Sequence, residues 1–76
     1  MIDILNLQDA PELDDWFAVE SPYGVCLAGT VTGHPLLPDG MVRTSLLVAI
    51  SEDHTWARTL NRFYRLKRPL ELLSMQ

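Results

Sequence analysis

The chain has one cysteine, Cys26, and no lysine or arginine in its first forty positions. A single thiol cannot close an intramolecular disulfide, and Cys26 lies in an apolar run where a thiol behaves as a small buried hydrophobe. No apolar stretch approaches the roughly 20 residues that a membrane span needs, and no basic segment followed by an apolar run opens the sequence. A cytoplasmic protein that does not engage membranes is therefore expected. The spacings C-x-x-C, H-E-x-x-H and H-x₃-H are missing around His34 and His54, so neither a metal nor a cofactor is expected. No glycine-rich phosphate loop precedes a helix, and Ser45 lacks the context of a nucleophile elbow. In 76 residues, with roughly 60 % of the unfolded chain's surface buried on folding, the core is thin. Such a core rarely encloses the water-excluding pocket that catalysis requires. A non-catalytic protein is expected, close to the lower limit of independent stability, for which a homodimer or a tight partner is reasonable.

What the sequence does contain is a strong asymmetry of charge. The net charge of −4 is the difference between an acidic front and a basic back. Residues 1–40 carry seven carboxylates and no basic group, whereas residues 41–76 carry all six basic side chains against three carboxylates. Either the molecule presents one acidic and one basic surface, or the two halves fold together and neutralise each other.

Read for periodicity, residues 1–22 form an acidic arm, 23–66 a β core and 67–76 a tail, all within one domain. Ile2, Ile4, Leu5 and Leu7 suit a short strand. Leu13, Trp16 and Phe17 stand at the i, i+3, i+4 spacing of a helical turn, with Pro11 fit for a first helical position and Ser21-Pro22 for its end. From Tyr23 to Thr32 the residues alternate as a strand, with Val25, Leu27, Gly29 and Val31 on one face. Gly29 inside it points to a bulge, a bend or a close backbone approach. Gly33 to Gly40, with two prolines and an Asp-Gly pair, is a connector in which His34 would bond to backbone groups. Met41 to Ile50 is a second strand whose far half, Leu46 to Ile50, reads as buried on both faces. Over Thr55 to Leu66 the spacing of Trp56, Leu60, Phe63 and Tyr64 favours a helix slightly over a strand. Beyond Pro69, Leu70, Leu72, Leu73 and Met75 form an apolar tail. The expected architecture is mainly β, a small antiparallel sheet or partly open barrel of three or four strands with short terminal helical segments.

The residues Leu27-Ala28-Gly29-Thr30-Val31-Thr32-Gly33-His34-Pro35, then Pro38-Asp39-Gly40 and Thr44-Ser45, with Thr59, Asn61 and Tyr64-Arg65-Leu66 further on, resemble a recurrent pattern in small, mostly uncharacterised β-rich proteins of phages, prophages and bacterial genomes. The resemblance spans about residues 27–66. It implies a compact antiparallel β fold in which Trp56 to Leu66 is a strand with an irregularity near Asn61, and it carries no catalytic assignment. Lys67 stands where a glycine often follows the Tyr-x-Leu of that pattern. In size and charge the chain is also similar to phage inhibitors of CRISPR-Cas complexes.

Two functional surfaces follow. Glu12, Asp14, Asp15 and Glu20 could form an acidic protein-binding surface, occupying on a host nucleic-acid-handling complex a site meant for phosphates; the matching function is an anti-CRISPR-like inhibitor or adaptor that binds a host protein. The alternative is a nucleic-acid-binding face built from Arg58, Arg62, Tyr64, Arg65 and Lys67, in which cations neutralise phosphates and aromatics stack on bases. The acidic half opposes that alternative, because it repels a phosphate backbone.

Overall fold

Residue alternation, interrupted at three defined places, builds this protein. The computed structural model describes residues 7–70. Five strands follow in order: β1 (Glu12–Ser21), β2 (Gly24–Thr32), β3 (Gly40–Ile50), β4 (Trp56–Thr59) and β5 (Phe63–Leu66). Each pairs with the next in antiparallel fashion, and β5 closes on β1 to complete a barrel. Because an up-and-down chain reverses at every hairpin, its first and fifth strands run the same way, so the closing seam is parallel: Glu12 lies beside Arg65 and Leu13 beside Leu66. The fold is mainly β as expected. It has five strands rather than three or four, and it is closed rather than partly open.

The helix expected around Leu13, Trp16 and Phe17 is instead β1, and a bulge explains the misleading spacing. Asp14 pairs with Thr30 and Phe17 with Ala28, so Asp15 and Trp16 together face the single residue Gly29. The extra residue shifts the alternation by one, and Leu13 and Trp16, three apart, both point into the core. Asp15 absorbs the bend in the left-handed region (φ 49°), where a short polar side chain is tolerated. Gly29 has to be glycine here: a Cβ would stand 2.8 Å from the Asp14 carbonyl oxygen and 3.1 Å from Trp16 Cα. Residues 12–21 of the expected arm are thus a stave of the barrel.

Two further register shifts lie in β3. Cys26 pairs with Leu46 but Ala28 with Arg43, which leaves Thr44 and Ser45 opposite Leu27. Thr44 turns inward, where its hydroxyl accepts from the Leu27 N–H (3.0 Å) and donates to the Ser45 carbonyl (2.8 Å). A second irregularity separates Leu47, opposite Thr59, from Ala49, opposite Arg58. As a result Val42, Leu47 and Ile50 pack on the core, while Val48 is 59 % exposed and Ala49 is exposed too. The far half of β3 is therefore not buried on both faces, because at the second shift Val48 and the following Ala49 turn outward.

The segment 55–66 is two strands joined by a tight turn at 60–62, not a helix and not one irregular strand. Thr59, fully buried, organises the turn: its backbone N–H donates to the Arg62 carbonyl (2.9 Å) and its hydroxyl donates to the same oxygen (3.1 Å) while accepting from the Arg62 N–H (3.3 Å). Leu60, which the helical spacing would bury, is exposed at the tip. The core consists of Leu13, Trp16, Leu27, Val31, Ala57, Tyr64 and Leu66, and Cys26 is buried as its setting suggests.

Beyond β5 the chain continues along β1. The Lys67 N–H donates to Leu13 O (2.8 Å), the Trp16 N–H to Arg68 O (3.3 Å) and the Leu70 N–H to Trp16 O (2.9 Å). Pro69 lacks an N–H, and the shift at the bulge passes the donor role to Leu70. The strand expected over Ile2 to Leu7 lies outside the described residues except for Leu7, which with Gln8 has helical backbone. Leu72, Leu73 and Met75 lie outside the described residues as well. Among those described, helical backbone is confined to Leu7 and Gln8, and no helix is long and apolar enough to cross a membrane.

A candidate ligand groove between the 33–39 loop and the β4–β5 turn

The four acidic residues read from the sequence do not form one surface. Glu12 pairs with the Lys67 ammonium at 3.3 Å, and Asp14 faces Arg68 Nε at 3.8 Å while accepting from the Arg68 N–H at 3.2 Å. Asp15 is exposed at the bulge, where it borders a shallow cavity with Arg68, Pro69 and Leu70. Glu20 pairs with Val25 at the other end of β1, about 25 Å of extended strand away. The charges at the closing seam are internal complementarity between the two halves of the chain.

The basic set is divided in a different way. Tyr64 is inside the barrel, 5 % exposed, and cannot stack on a ligand from the outer face. Lys67 is engaged by Glu12, and Arg65 Nε donates to the Ala10 carbonyl at 2.9 Å. Arg58 lies over the Phe63 ring, 5.1 Å from its centroid, and Trp56 meets the same ring edge-on at 5.9 Å. Trp56, Arg58, Phe63 and Arg65 therefore form an outward row on the β4–β5 hairpin, with Arg58 directly opposite Phe63 and Trp56 opposite Arg65. Alternation within each four-residue strand could have found this row, had the turn at 60–62 been visible.

Two open cavities meet at Asn61 and Arg62. One, of about 260 Å³, lies among Pro11, Pro35, Arg58 and Phe63, with Asp9 on its border. The other, of about 230 Å³, lies between the 33–39 loop and the barrel and is lined by Leu36, Leu37, Arg43, Ser45 and Tyr64 together with His34. Together they make a groove of mixed polar and apolar lining that holds three guanidinium groups, those of Arg43, Arg58 and Arg62, and the Asp9 carboxylate. Arg43, Ser45 and Asn61 were not among the candidate contact residues read from the sequence, because only folding brings the loop against the β4–β5 turn.

The loop is shaped by its own side chains. The Gly33 N–H donates to Asp39 Oδ1 (3.1 Å), and His34 Nδ1 accepts from the Leu36 N–H (3.0 Å) and the Leu37 N–H (3.2 Å). Those two donors fix the tautomer: the ring proton is on Nε2, which remains a donor. Partial desolvation, and secondarily the Arg62 guanidinium, hold the His34 pKa below the ordinary histidine value. Burial raises the Tyr64 pKa, with Arg62 opposing, so its phenol keeps its proton at neutral pH. Ser45 holds a buried hydroxyl with no hydrogen-bond partner among the described residues. Among those residues no cluster of three or more His, Cys, Asp and Glu could hold a metal ion. The groove is thus rich in donors and cations, arranged to receive an anionic group beside apolar surface.

Neither a curated protein nor a solved structure matches the chain. A model described as "Family of unknown function (DUF6634)" matches residues 3–76, nearly the whole length, and the chain belongs to that family.

Proposed function

We propose that this barrel is a non-catalytic protein-binding module whose contact surface is the groove at Asn61 and Arg62, not the acidic edge. The observation that carries this reading is the meeting of two cavities at a cationic centre, one of them walled in part by Leu36 and Leu37, which are 77 % and 45 % exposed. Exposed leucines next to guanidinium groups suit a polypeptide, which presents apolar and charged side chains within one short segment. The phage-type resemblance supports an inhibitor or adaptor of a host complex as the form this binding takes.

A nucleic-acid reading draws on the outward row of Trp56, Arg58, Phe63 and Arg65, which could stack bases and contact phosphates. It is second because Tyr64 is buried, Lys67 is engaged by Glu12 and Asp9 borders the groove. Affinity capture from the native host, followed by reconstitution with the purified partner, tests the choice. A partner protein bound equally by wild type and by the quadruple variant E12Q/D14N/D15N/E20Q, but weakened at least tenfold by R43Q/R58Q/R62Q, supports the groove. Loss of binding in the first variant with none in the second places contact on the acidic edge instead.

A further inference from the structure

We infer that the cavity between the 33–39 loop and Arg62 is a carboxylate subsite, which takes an acidic side chain of the partner segment and seats that residue's apolar neighbours on Leu36 and Leu37. This deepens the protein-binding reading and rests on it. Among the described residues every ionised group lining the cavity is a cation: Arg43 and Arg62 contribute guanidinium groups, and no Asp or Glu lines it. Around these cations the neutral groups are also donors. His34 has committed Nδ1 as an acceptor to two backbone N–H groups, so only Nε2–H is left to meet a ligand. Ser45, another lining residue, has a buried hydroxyl without a partner among the described residues. Asn61 and Tyr64 add an amide and a phenol. A planar carboxylate beside a guanidinium fork is the pairing such a donor set favours, since each oxygen can accept two hydrogen bonds.

Charge on the flanks decides between a peptide carboxylate and a chain of phosphates. The adjoining cavity is bordered by Asp9, and the closing seam beyond carries Glu12 and Asp14. A polyanion running through the groove would pass these carboxylates, whereas a peptide can place one acid over Arg62 and neutral residues elsewhere. The cavity's volume of about 230 Å³ holds one such side chain with part of its backbone, not a folded domain.

The test is fluorescence anisotropy of the full chain with labelled twelve-residue peptides in which one Asp or Glu is flanked by leucine or valine, matched to Asn or Gln counterparts, and with a twelve-nucleotide single strand. Acidic peptides should bind wild type and lose at least tenfold in affinity on the acid-to-amide change. R62Q and R43Q, checked for unchanged melting temperature, should each weaken the acidic peptides, and E20Q, at the far end of β1, should not. R62K separates charge from geometry: retained fold with weakened binding supports a forked contact. Acidic peptides that bind no better than their amide counterparts overturn the subsite, as do peptides indifferent to both arginine variants, or an oligonucleotide bound more tightly than any peptide. A captured partner protein that binds R62Q and R43Q as tightly as wild type removes the subsite while leaving the protein-binding reading standing.

Discussion

Gly29 shows how a single residue sets the path of the chain. Its missing Cβ lets the β1 bulge approach within contact distance, so Gly29→Ala should force the Asp14–Trp16 backbone outward. Overpacking of this kind costs about 1–3 kcal/mol, and in a domain of this size each kcal/mol lowers the melting temperature by roughly 4–8 °C; thermal denaturation by circular dichroism reads it. That Gly29 marks a bulge or a close approach is legible in the sequence, because glycine inside an alternating apolar run has few other reasons. His34 is legible for the same kind of reason, as a side chain before proline that bonds to loop backbone. Its lowered pKa has a definite pH consequence. The folded state binds the proton more weakly than the unfolded chain, so the histidine contributes stability above the unfolded value near 6.5 that is lost as pH falls through the folded pKa. Protonating Nδ1 also removes the acceptor for Leu36 and Leu37. An NMR titration should place the His34 midpoint below that of an unstructured histidine, with the Leu36 and Leu37 amide resonances moving at the same midpoint. A midpoint at or above 6.5 contradicts the assignment of Nδ1 as an acceptor.

At the level of elements, irregularities divide what the sequence reveals from what it hides. β2 has only interruptions on its neighbours, and its inward face of Leu27, Gly29 and Val31 follows directly from alternation. β1 imitates a helix because its bulge brings Leu13 and Trp16 into phase at a spacing of three. β4 and β5 are four residues each, too short for period to separate them from a helix, and the turn between them contains no glycine or proline to announce it. Thr59 does the organising instead, through four hydrogen bonds that only the folded turn supplies. Thr59→Val keeps the shape but removes the hydroxyl, leaving turn groups without a partner at about 1–3 kcal/mol. Thr59→Ser should keep most of that stability. Chemical denaturation of the two variants gives the comparison, and a larger loss in Thr59→Ser than in Thr59→Val would show that the methyl group's packing, not the hydroxyl, holds the turn. The ion pairs of Glu12 and Asp14 across the closing seam are exposed and contribute little, about 0.2–1 kcal/mol each; the backbone ladder of residues 65–70 along β1 is what closes the seam.

For the whole molecule, the bipolar charge of the chain resolves into a neutralised seam and a cationic groove. The sequence shows that the halves have opposite sign, but whether they meet depends on barrel closure, a long-range contact that no local pattern encodes. The same closure removes Tyr64 and Lys67 from the basic surface, and the register shifts of β3 bring Arg43 and Ser45 to the groove with Arg62. The central claim is that partners are bound at this groove. Its most direct test is a backbone amide shift map of the ¹⁵N-labelled chain against a bound acidic peptide or the reconstituted partner. The account predicts that the largest shifts fall on residues 33–37, 43–45 and 58–64, with Glu12, Asp14, Asp15 and Glu20 little changed. Shifts centred on those four carboxylates, with the loop and the β4–β5 turn silent, would contradict it.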